Sequence, residues 1–167
     1  MVSALRSCPD ATTLKLTTET EFALDLEFRL FLQPLPALVA CLTRSRLLSQ
    51  AWYLIESEFS NDELDLDRAA DFCGISKNRL NLRVRELSLF TFHALLLRYR
   101  LFQSTARMAD REYALTEIAF DCGFGTLRSF ERAVKQILGA SPTHIRDILL
   151  KEQTPRNHEY VLVDRIP

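Results

Sequence analysis

The stretch IAFDCGFGTLRSFERAVKQILGASPTHIR, residues 118–146, predicts short helices joined by tight turns. Gly123 lies where the chain must reverse direction, and glycine adopts a positive φ without a steric cost. Ala119 is small enough to let a second helix cross close over the first. Thr126 stands where its side-chain oxygen can cap that second helix, which the pattern predicts from about Leu127 to Leu138.

The helix that follows Thr126 has an apolar back and a basic front. Phe130, Val134 and Ile137 recur at intervals of four and three residues, which predicts one buried stripe. The predicted outward face consists of Leu127, Arg128, Glu131, Arg132 and Lys135. Three of these side chains are cationic. A short helix of this kind, presented after a tight turn, is what a helix-turn-helix unit inserts into the major groove of DNA.

A weaker copy of this unit lies about fifty residues upstream, and an internal repeat decides the fold before any other pattern. The segment Ala69–Gly74 matches Ile118–Gly123, with alanine, cysteine and glycine at equivalent positions. The apolar residues of the first copy that correspond to the buried stripe of the second are Leu80, Val84 and Leu87. The chain is therefore predicted to contain two helix-turn-helix units.

In these residues the chain resembles the DNA-binding module of the AraC/XylS family of bacterial transcription regulators. The resemblance runs from about Arg44 to about Leu150. It is most specific in the second unit, at Gly139-Ala140-Ser141-Pro142 and Arg146. It implies two recognition helices held by a rigid linking helix, which the sequence predicts from about Phe92 to Met108.

The overall charge argues against DNA binding, whereas its distribution argues for it. The formal net charge is −1, and DNA-binding domains are usually basic. Residues 56–71, however, carry seven acids and one base, and residues 76–107 carry seven bases and one acid. A neutral chain can therefore present a basic face.

The composition is that of a globular protein, with 47% hydrophobic and 26% charged residues. Apolar runs such as residues 35–42 are too short to span a bilayer, and the first residues show no signal-peptide pattern. We therefore expect a cytoplasmic protein that does not enter a membrane.

No constellation of residues indicates an enzyme. The sequence has no glycine-rich phosphate loop, no paired-carboxylate site and no nucleophile beside a base. The cysteines are Cys8, Cys41, Cys73 and Cys122, without a C-x-x-C pair. Cys73 and Cys122 precede equivalent turn glycines, so buried structural thiols are the favoured interpretation over redox or metal-binding thiols. We predict no catalytic residue, no metal and no cofactor.

The N-terminal third shows a strand-like alternation of apolar and polar residues. Its apolar members are Phe22, Leu24, Leu26, Phe28, Leu30 and Leu32. Period two is typical of a strand with one buried face, and Leu14 and Leu16 favour a hairpin that turns near Glu19. A helix with accidental alternation is the alternative interpretation.

A two-stranded arm would expose a wide apolar face, and an open strand edge invites pairing with another chain. We expect the same arm of a second protomer to cover it, through these six apolar residues, which gives a homodimer. The run from Tyr160 to Val163 is a further strand-like segment that can support this contact. Folding of the arm back onto its own helices is the rival arrangement.

Arg128 and Arg132 are the strongest candidates for base contacts, because the arginine fork matches the two acceptors of guanine. The resemblance also implies base-facing positions for both, and a solvated basic face is the alternative. Glu131 either accepts a hydrogen bond from cytosine or pairs with Lys135, and the ion pair is the safer interpretation. Lys135, at the far end of the helix, suits a phosphate.

The first recognition helix, predicted from about residue 77 to residue 87, is less decisive. Its outward residues are Lys77, Asn78, Asn81, Leu82 and Arg85. The two asparagines can read adenine, Lys77 and Arg85 suit phosphates, and Leu82 can meet a thymine methyl group. Leu82 stands where the family often has arginine, which favours a smaller share of base reading for this helix. Leu89 is a second departure, since the family usually has glycine there.

Together these patterns predict a mainly α fold of two helix-turn-helix units joined by a linking helix, with a short β-rich N-terminal arm. Besides the three helices already given, periodicity predicts helices over about residues 46–58, 66–73, 115–122 and 142–149, seven in all, with Asp65 as the cap of the second. Pro34 and Pro36 are expected to break the pattern between the arm and these helices. The predicted segments are the arm over residues 1–43, the DNA-binding domain over residues 44–150 and a tail over residues 151–167. The predicted function is sequence-specific binding of double-stranded DNA in transcription control, with RNA polymerase or another regulator as a further partner. The alternative is a degenerate helix-turn-helix protein that acts mainly through a protein partner.

Overall fold

The computed structural model describes Leu26 and residues 29–152 of the chain. Between residues 35 and 152 it contains eight helices, which are α1 (Leu35–Leu42), α2 (Arg46–Glu58), α3 (Leu66–Cys73), α4 (Lys77–Ser88), α5 (Phe92–Met108), α6 (Leu115–Asp121), α7 (Leu127–Leu138) and α8 (Pro142–Glu152). No β-strand forms within these described ranges. The mainly α prediction is confirmed, and the predicted bounds of α2, α5 and α7 agree with the structure.

Helices α3 and α7 begin where the sequence supplies a capping oxygen. The carboxylate of Asp65 accepts a hydrogen bond from the backbone N–H of Arg68 at 2.9 Å, at the start of α3. The hydroxyl of Thr126 accepts one from the backbone N–H of Ser129 at 3.1 Å, at the start of α7. Such caps satisfy N–H groups that the first turn of a helix leaves unpaired. The predicted caps at Asp65 and Thr126 are therefore confirmed.

Both helix-turn-helix units contain the same turn. In the first, the backbone N–H of Ile75 donates to the carbonyl of Ala70 at 3.1 Å. In the second, the backbone N–H of Phe124 donates to the carbonyl of Ala119 at 2.9 Å. Since the hydrogen bonds and their spacing coincide, the repeat predicted from the sequence is confirmed.

The long helix α5 is the middle of the hydrophobic core. It packs against α4 of the first unit and against α6, α7 and α8 of the second. Leu95, Leu96 and Leu101 of α5 are buried, and the ring of Tyr99 lies edge-on to that of Trp52 with 5.2 Å between the centroids. The linking helix is thus held on both sides by side-chain packing.

The helical stripe of the first unit is shorter than the sequence predicts. Leu80 and Val84 are buried, but Leu87 is 43% exposed, whereas its counterpart Ile137 is half-buried and packs on the core. The prediction that Leu87 closes the buried stripe is therefore wrong. Leu87 instead lies on an open groove whose lining includes Leu47 and Arg83.

The prediction of a strand around Leu26 and Leu30 is wrong for the residues that the structure describes. Leu26 and residues 29–31 are helical. Leu26, Leu30 and Phe31 are buried in the same core as the other helices, and the ring of Phe31 meets that of Phe102 at 6.0 Å. Leu26 and Leu30 are four residues apart, so an alternating pattern also fits one face of a helix. Phe22, Leu24 and Phe28 lie outside the described residues.

Two prolines that the sequence pattern treats as an interruption begin a helix instead. Pro34 precedes α1, and Pro36 lies in its first turn, where a missing N–H does no harm. Leu38 and Leu42 of α1 are buried, and α1 packs against α2 and α4. This helix was not among the seven that the sequence predicts.

The apolar face on which the homodimer prediction depends is partly covered within one chain. Leu26 and Leu30 belong to the core, whereas Leu32, at a positive φ of 60°, is 60% exposed. At these positions the arrangement agrees with the rival, in which the segment folds onto its own helices. The homodimer itself stays a prediction, and Tyr160 to Val163 lie outside the described residues.

Among the helices that the structure describes, none combines the length and the apolar composition that a membrane span requires.

Candidate nucleic-acid interface

The turn that presents α7 is tightly packed. Cys122 is fully buried, and its Sγ accepts a hydrogen bond from Nη1 of Arg107 at 3.4 Å. Burial raises the pKa of the Cys122 thiol, while the nearby Arg107 partly offsets this rise. Phe124 then packs edge-on against Phe130, the first buried residue of the α7 stripe, with 5.1 Å between the ring centroids. The start of α7 is therefore held from behind by apolar contacts and from within by its threonine cap.

The outward face of α7 is basic and open. Arg128, Arg132 and Lys135 are exposed, as is Glu131 between them. Among the described residues, no hydrogen bond or ion pair engages these four side chains. The guanidinium and ammonium donors are thus available to an anionic or hydrogen-bonding partner.

Two details of this face differ from the sequence expectation. The ion pair between Glu131 and Lys135, which was the safer interpretation for Glu131, does not form within the described part of the chain. Leu127, predicted to point outward, is half-buried and packs against the core. The open face of α7 is therefore defined by its charged residues.

The corresponding face of α4 is less basic. Asn78 and Arg85 are exposed, and Leu82 between them is 58% exposed. Leu89, one residue past the end of α4, is 72% exposed. Leu82 thus lies where α7 carries Arg132, whereas Arg85 matches the basic Lys135 and Leu89 stands at the position of Gly139.

Asn81 has a structural contact that the sequence did not indicate. Its side-chain oxygen accepts a hydrogen bond from the backbone N–H of Phe92 at 2.9 Å, and the residue is half-buried. This bond joins the middle of α4 to the first turn of α5. The bond engages one lone pair of this oxygen and positions α4 against α5, while the DNA contact expected of Asn81 stays a prediction.

Lys77 is held by an acidic neighbour. Its Nζ lies 2.9 Å from one carboxylate oxygen of Asp67, on α3, and 3.0 Å from the other. The hydrogen bond to Asp67 and its charge raise the pKa of Lys77. Both side chains are more than half exposed, and exposed pairs of this kind exchange readily with water and other ions. A phosphate would have to compete with Asp67 for Lys77.

The arginines of the linking helix are structural. Arg98 stacks over the ring of Phe90, with its guanidinium carbon 4.3 Å from the ring centroid, and burial lowers its pKa. Arg100 is buried and donates to the carbonyl oxygens of Phe59 and Asn61. Spacing along the chain could not predict the two hydrogen bonds of Arg100, because their acceptors are 41 and 39 residues away.

The described residues contain no group of three or more histidine, cysteine, aspartate or glutamate side chains that could hold a metal ion. Cys73, at the position equivalent to Cys122, is half-buried, and its Sγ lies 3.9 Å from the carbonyl oxygen of Leu47. Burial raises the pKa of this thiol as well. A raised pKa keeps a thiol protonated, which lowers its reactivity as a nucleophile or ligand.

Comparison with known proteins gives a family match. Residues 69–148 match the model of a helix-turn-helix domain, and this range contains both units and the linking helix. Together with the solved structures described next, this match confirms the resemblance to the AraC type. No match was found among the curated proteins.

Solved structures share the fold. The C-terminal domain of AraT, a response regulator from Geobacillus stearothermophilus, is 25% identical with a TM-score of 0.63, and the match covers 70% of this chain and 96% of that one. The DNA-binding domain of AdpA, a global transcriptional factor solved in complex with a target DNA, is 20% identical with a TM-score of 0.59, covering 64% and 95%. A transcriptional regulator with an AraC-type DNA-binding domain from Chromobacterium violaceum is 19% identical with a TM-score of 0.57, covering 65% and 94%.

Proposed function

We infer that this chain, whose residues 69–148 form an AraC-type helix-turn-helix domain, is a transcription regulator that binds double-stranded DNA in a sequence-specific manner. The fold and the family match are those of regulators, and this role needs no bound cofactor. We propose further that α4 and α7 enter successive major grooves on one face of the duplex, with contacts centred about 10 bp apart.

The single observation that carries this proposal is the state of α7. On the core-facing side of α7, Phe130 and Val134 are fully buried. On the opposite side, Arg128, Arg132 and Lys135 are exposed and engage no described residue. Arginine in the first half of a recognition helix can bond bidentately to guanine, and lysine near its end can meet a phosphate. The exposed face of α7 thus offers hydrogen-bond donors to the acceptors of a major groove.

In the first unit, we propose a smaller contribution from Asn78 and Arg85, with Leu82 against a thymine methyl group. Asn78 is exposed and can read adenine, and apolar side chains recognise the methyl group of thymine. Lys77 would meet a phosphate after release from Asp67. Such a regulator would act on transcription through contact with RNA polymerase or with another regulator.

A second candidate function is favoured by one observation, the exposed leucines of the first unit. Leu82 lies on the exposed face of α4 and Leu89 just past its end, and both side chains are more than half exposed. Exposed apolar groups of this kind can bind another protein. In this candidate the fold serves mainly to hold a protein partner, and DNA binding is weak and unspecific.

The test is selection from randomised duplexes with excess competitor DNA, followed by mobility-shift titrations of the selected sequence at several salt concentrations. We expect an enriched motif in two parts about one helical turn apart, and an affinity that falls as salt rises. Enrichment of no motif, together with equal affinity for every duplex, would contradict the proposal and favour the second candidate.

A further inference from the structure

Three parts of the molecule meet at the carbonyl oxygen of Phe59. This residue ends α2, and its carbonyl accepts a hydrogen bond from Nε of Arg100 on α5 at 2.8 Å. Nη2 of the same guanidinium donates to the carbonyl of Asn61 at 2.7 Å. A Cβ placed on Gly123 would lie 2.3 Å from the Phe59 oxygen and 2.9 Å from Nε of Arg100. The end of α2, the linking helix and the turn of the second unit therefore touch at one place, which we call the Arg100 joint.

The joint has little freedom to move. Arg100 is only 7% exposed, and the guanidinium stays charged although burial lowers its pKa, since arginine is not deprotonated in proteins. Its two carbonyl acceptors lie at the C-terminal end of α2, where a helix favours a cation. Asp62 lies close enough to favour the charged form further. A buried charge with two fixed acceptors has one preferred orientation, because any other leaves donors unpaired.

The second unit is seated on this joint through a glycine. At Gly123, 3.0 Å or less separates an added Cβ from both the Phe59 oxygen and Arg100, so a side chain cannot be accommodated without moving the turn. Nη1 of Arg107, further along α5, bonds to the neighbouring Cys122. The turn before α7 is thereby fixed to the same loop that precedes the first unit.

We propose that the Arg100 joint sets the distance and rotation between the two recognition helices and thereby makes the protein selective for the spacing of its two DNA contacts. This inference rests on the proposed function, because it assumes that α4 and α7 bind DNA together. One base pair changes the rotation between two contacts by about 34° and their separation by about 3.4 Å. A rigid joint cannot follow such a change, whereas a linking helix with a free hinge at its end can.

Gly123→Ala and Gly74→Ala form a matched pair for the test. Both glycines have a positive φ, +77° and +65°, so alanine introduces similar backbone strain at each position. Only at Gly123 does the added methyl group meet the joint, since nothing lies within 4 Å of it at Gly74. The difference between the two variants therefore isolates the effect of opening the joint.

The first measurement needs no DNA. Spin labels on unnatural amino acids at the exposed positions Glu86 of α4 and Gln136 of α7 report the distance between the recognition helices in the full chain. We expect one narrow distance in the unmodified protein and in Gly74→Ala, and a broadened or shifted distribution in Gly123→Ala. Equal distributions in all three would overturn the proposal, whether or not the protein binds DNA.

The second measurement uses the selected duplex and versions with one base pair inserted or deleted between its two parts. The unmodified protein and Gly74→Ala should lose about tenfold or more in affinity on the altered duplexes, and Gly123→Ala less than about threefold. Similar losses for both variants would contradict the inference. Absence of any selected duplex would instead count against the proposed function, while the distance measurement still decides on the joint.

A second pair of variants applies if Gly123→Ala does not fold, as judged by circular dichroism. Arg100→Lys keeps a charge but cannot bond both carbonyls in the geometry of the guanidinium. Arg98→Lys changes the arginine two positions earlier on α5, which stacks on Phe90 at the end of the first unit. A broader distance in the first variant and an unchanged one in the second support the joint, and the reverse pattern refutes it.

Discussion

The two helix-turn-helix units share one backbone and differ in how side chains stabilise it. The second unit begins α7 with the Thr126 cap and ends it at Gly139, whose φ of +80° suits glycine. The first begins α4 at Ser76, which makes no side-chain cap hydrogen bond, and ends it at Leu89 with a φ of 65°. In both, the residue after the helix donates its N–H to the fourth carbonyl before it. The two units thus share the same backbone hydrogen bond at the end of the helix. The first unit nevertheless lacks the side-chain cap and the terminal glycine that favour this backbone in the second.

The exposed faces of α4 and α7 differ as well. On α7, the basic side chains engage no described residue, whereas on α4 Lys77 is held by Asp67 and Asn81 is bonded to Phe92. Two polar side chains of the first unit, Lys77 and Asn81, are thus engaged in internal contacts. We therefore expect the second unit to provide most of the sequence readout and the first to provide placement on the duplex.

The largest expected effects test whether the two units unfold together or independently. Phe130→Ala removes a fully buried ring from the second unit and should cost about 3–5 kcal/mol of unfolding free energy. Leu80→Ala, the matched change in the first unit, should cost about 2–5 kcal/mol. Because α5 and the Arg100 joint connect the units, urea unfolding followed by circular dichroism should show one transition in each variant. Two separated transitions would mean that the units fold separately.

A smaller effect, on DNA affinity and sequence preference, distinguishes the exposed face of α7 from that of α4. Arg128→Ala or Arg132→Ala should each weaken binding to the selected duplex by about 1–3 kcal/mol and relax the preference at one position. Arg85→Ala should weaken binding without changing the preferred sequence. Titrations against the selected duplex and single-base variants measure both quantities. Equal and sequence-independent losses in all three variants would show that α7 contributes only electrostatic attraction.

The helix ends provide a stability test of the comparison. Leu89→Gly should raise the unfolding free energy by about 0.5–1 kcal/mol, because it relieves a left-handed backbone at an exposed leucine. Gly139→Ala should lower it by about 1 kcal/mol, because nothing lies within 4 Å of the added methyl group and backbone strain alone acts. Urea titration measures both, and a destabilised Leu89→Gly variant would show that the leucine has a packing role.

The smallest effect concerns salt. Lys135→Ala should reduce the steepness with which binding falls as salt rises by about one released counterion, for every duplex alike. Lys77→Ala should change it less, because Asp67 already neutralises this ammonium group. Mobility-shift titrations across salt concentrations compare the two slopes. A larger change for Lys77 would show that it leaves Asp67 completely when DNA binds.

Helical periodicity and capping residues predicted α2 to α8 with their order and nearly all their bounds. They succeeded because each helix has an apolar stripe of its own and a start signal such as Asp65 or Thr126. They failed at Leu26 and Leu30, since positions four apart fit both an alternating strand and a helix face. They also missed α1, whose two prolines are compatible with a first helical turn as well as with a break.

The outward residues of α7 were predicted well because periodicity alone decides which side chains face away from a core. The role of Asn81 was not, since its partner is the backbone N–H of Phe92, which no spacing rule indicates. The Arg100 joint was missed for the same reason. Gly123 was correctly identified as a turn residue, but its close approach to Phe59 depends on how distant segments pack.

The rate at which the buried Cys122 thiol is modified reports local opening of the second unit. The thiolate is the form that attacks alkylating reagents, and here burial both shields the sulfur and raises the pKa of the Cys122 thiol. The rate of modification at Cys122 therefore counts how often the turn before α7 comes apart, on a timescale that hydrogen exchange also samples. Cys73, at the equivalent position, is only half-buried, so its modification does not require the first turn to open. In one pulse of reagent followed by peptide mass spectrometry, Cys73 therefore serves as the accessible reference against which the opening of the second turn is read.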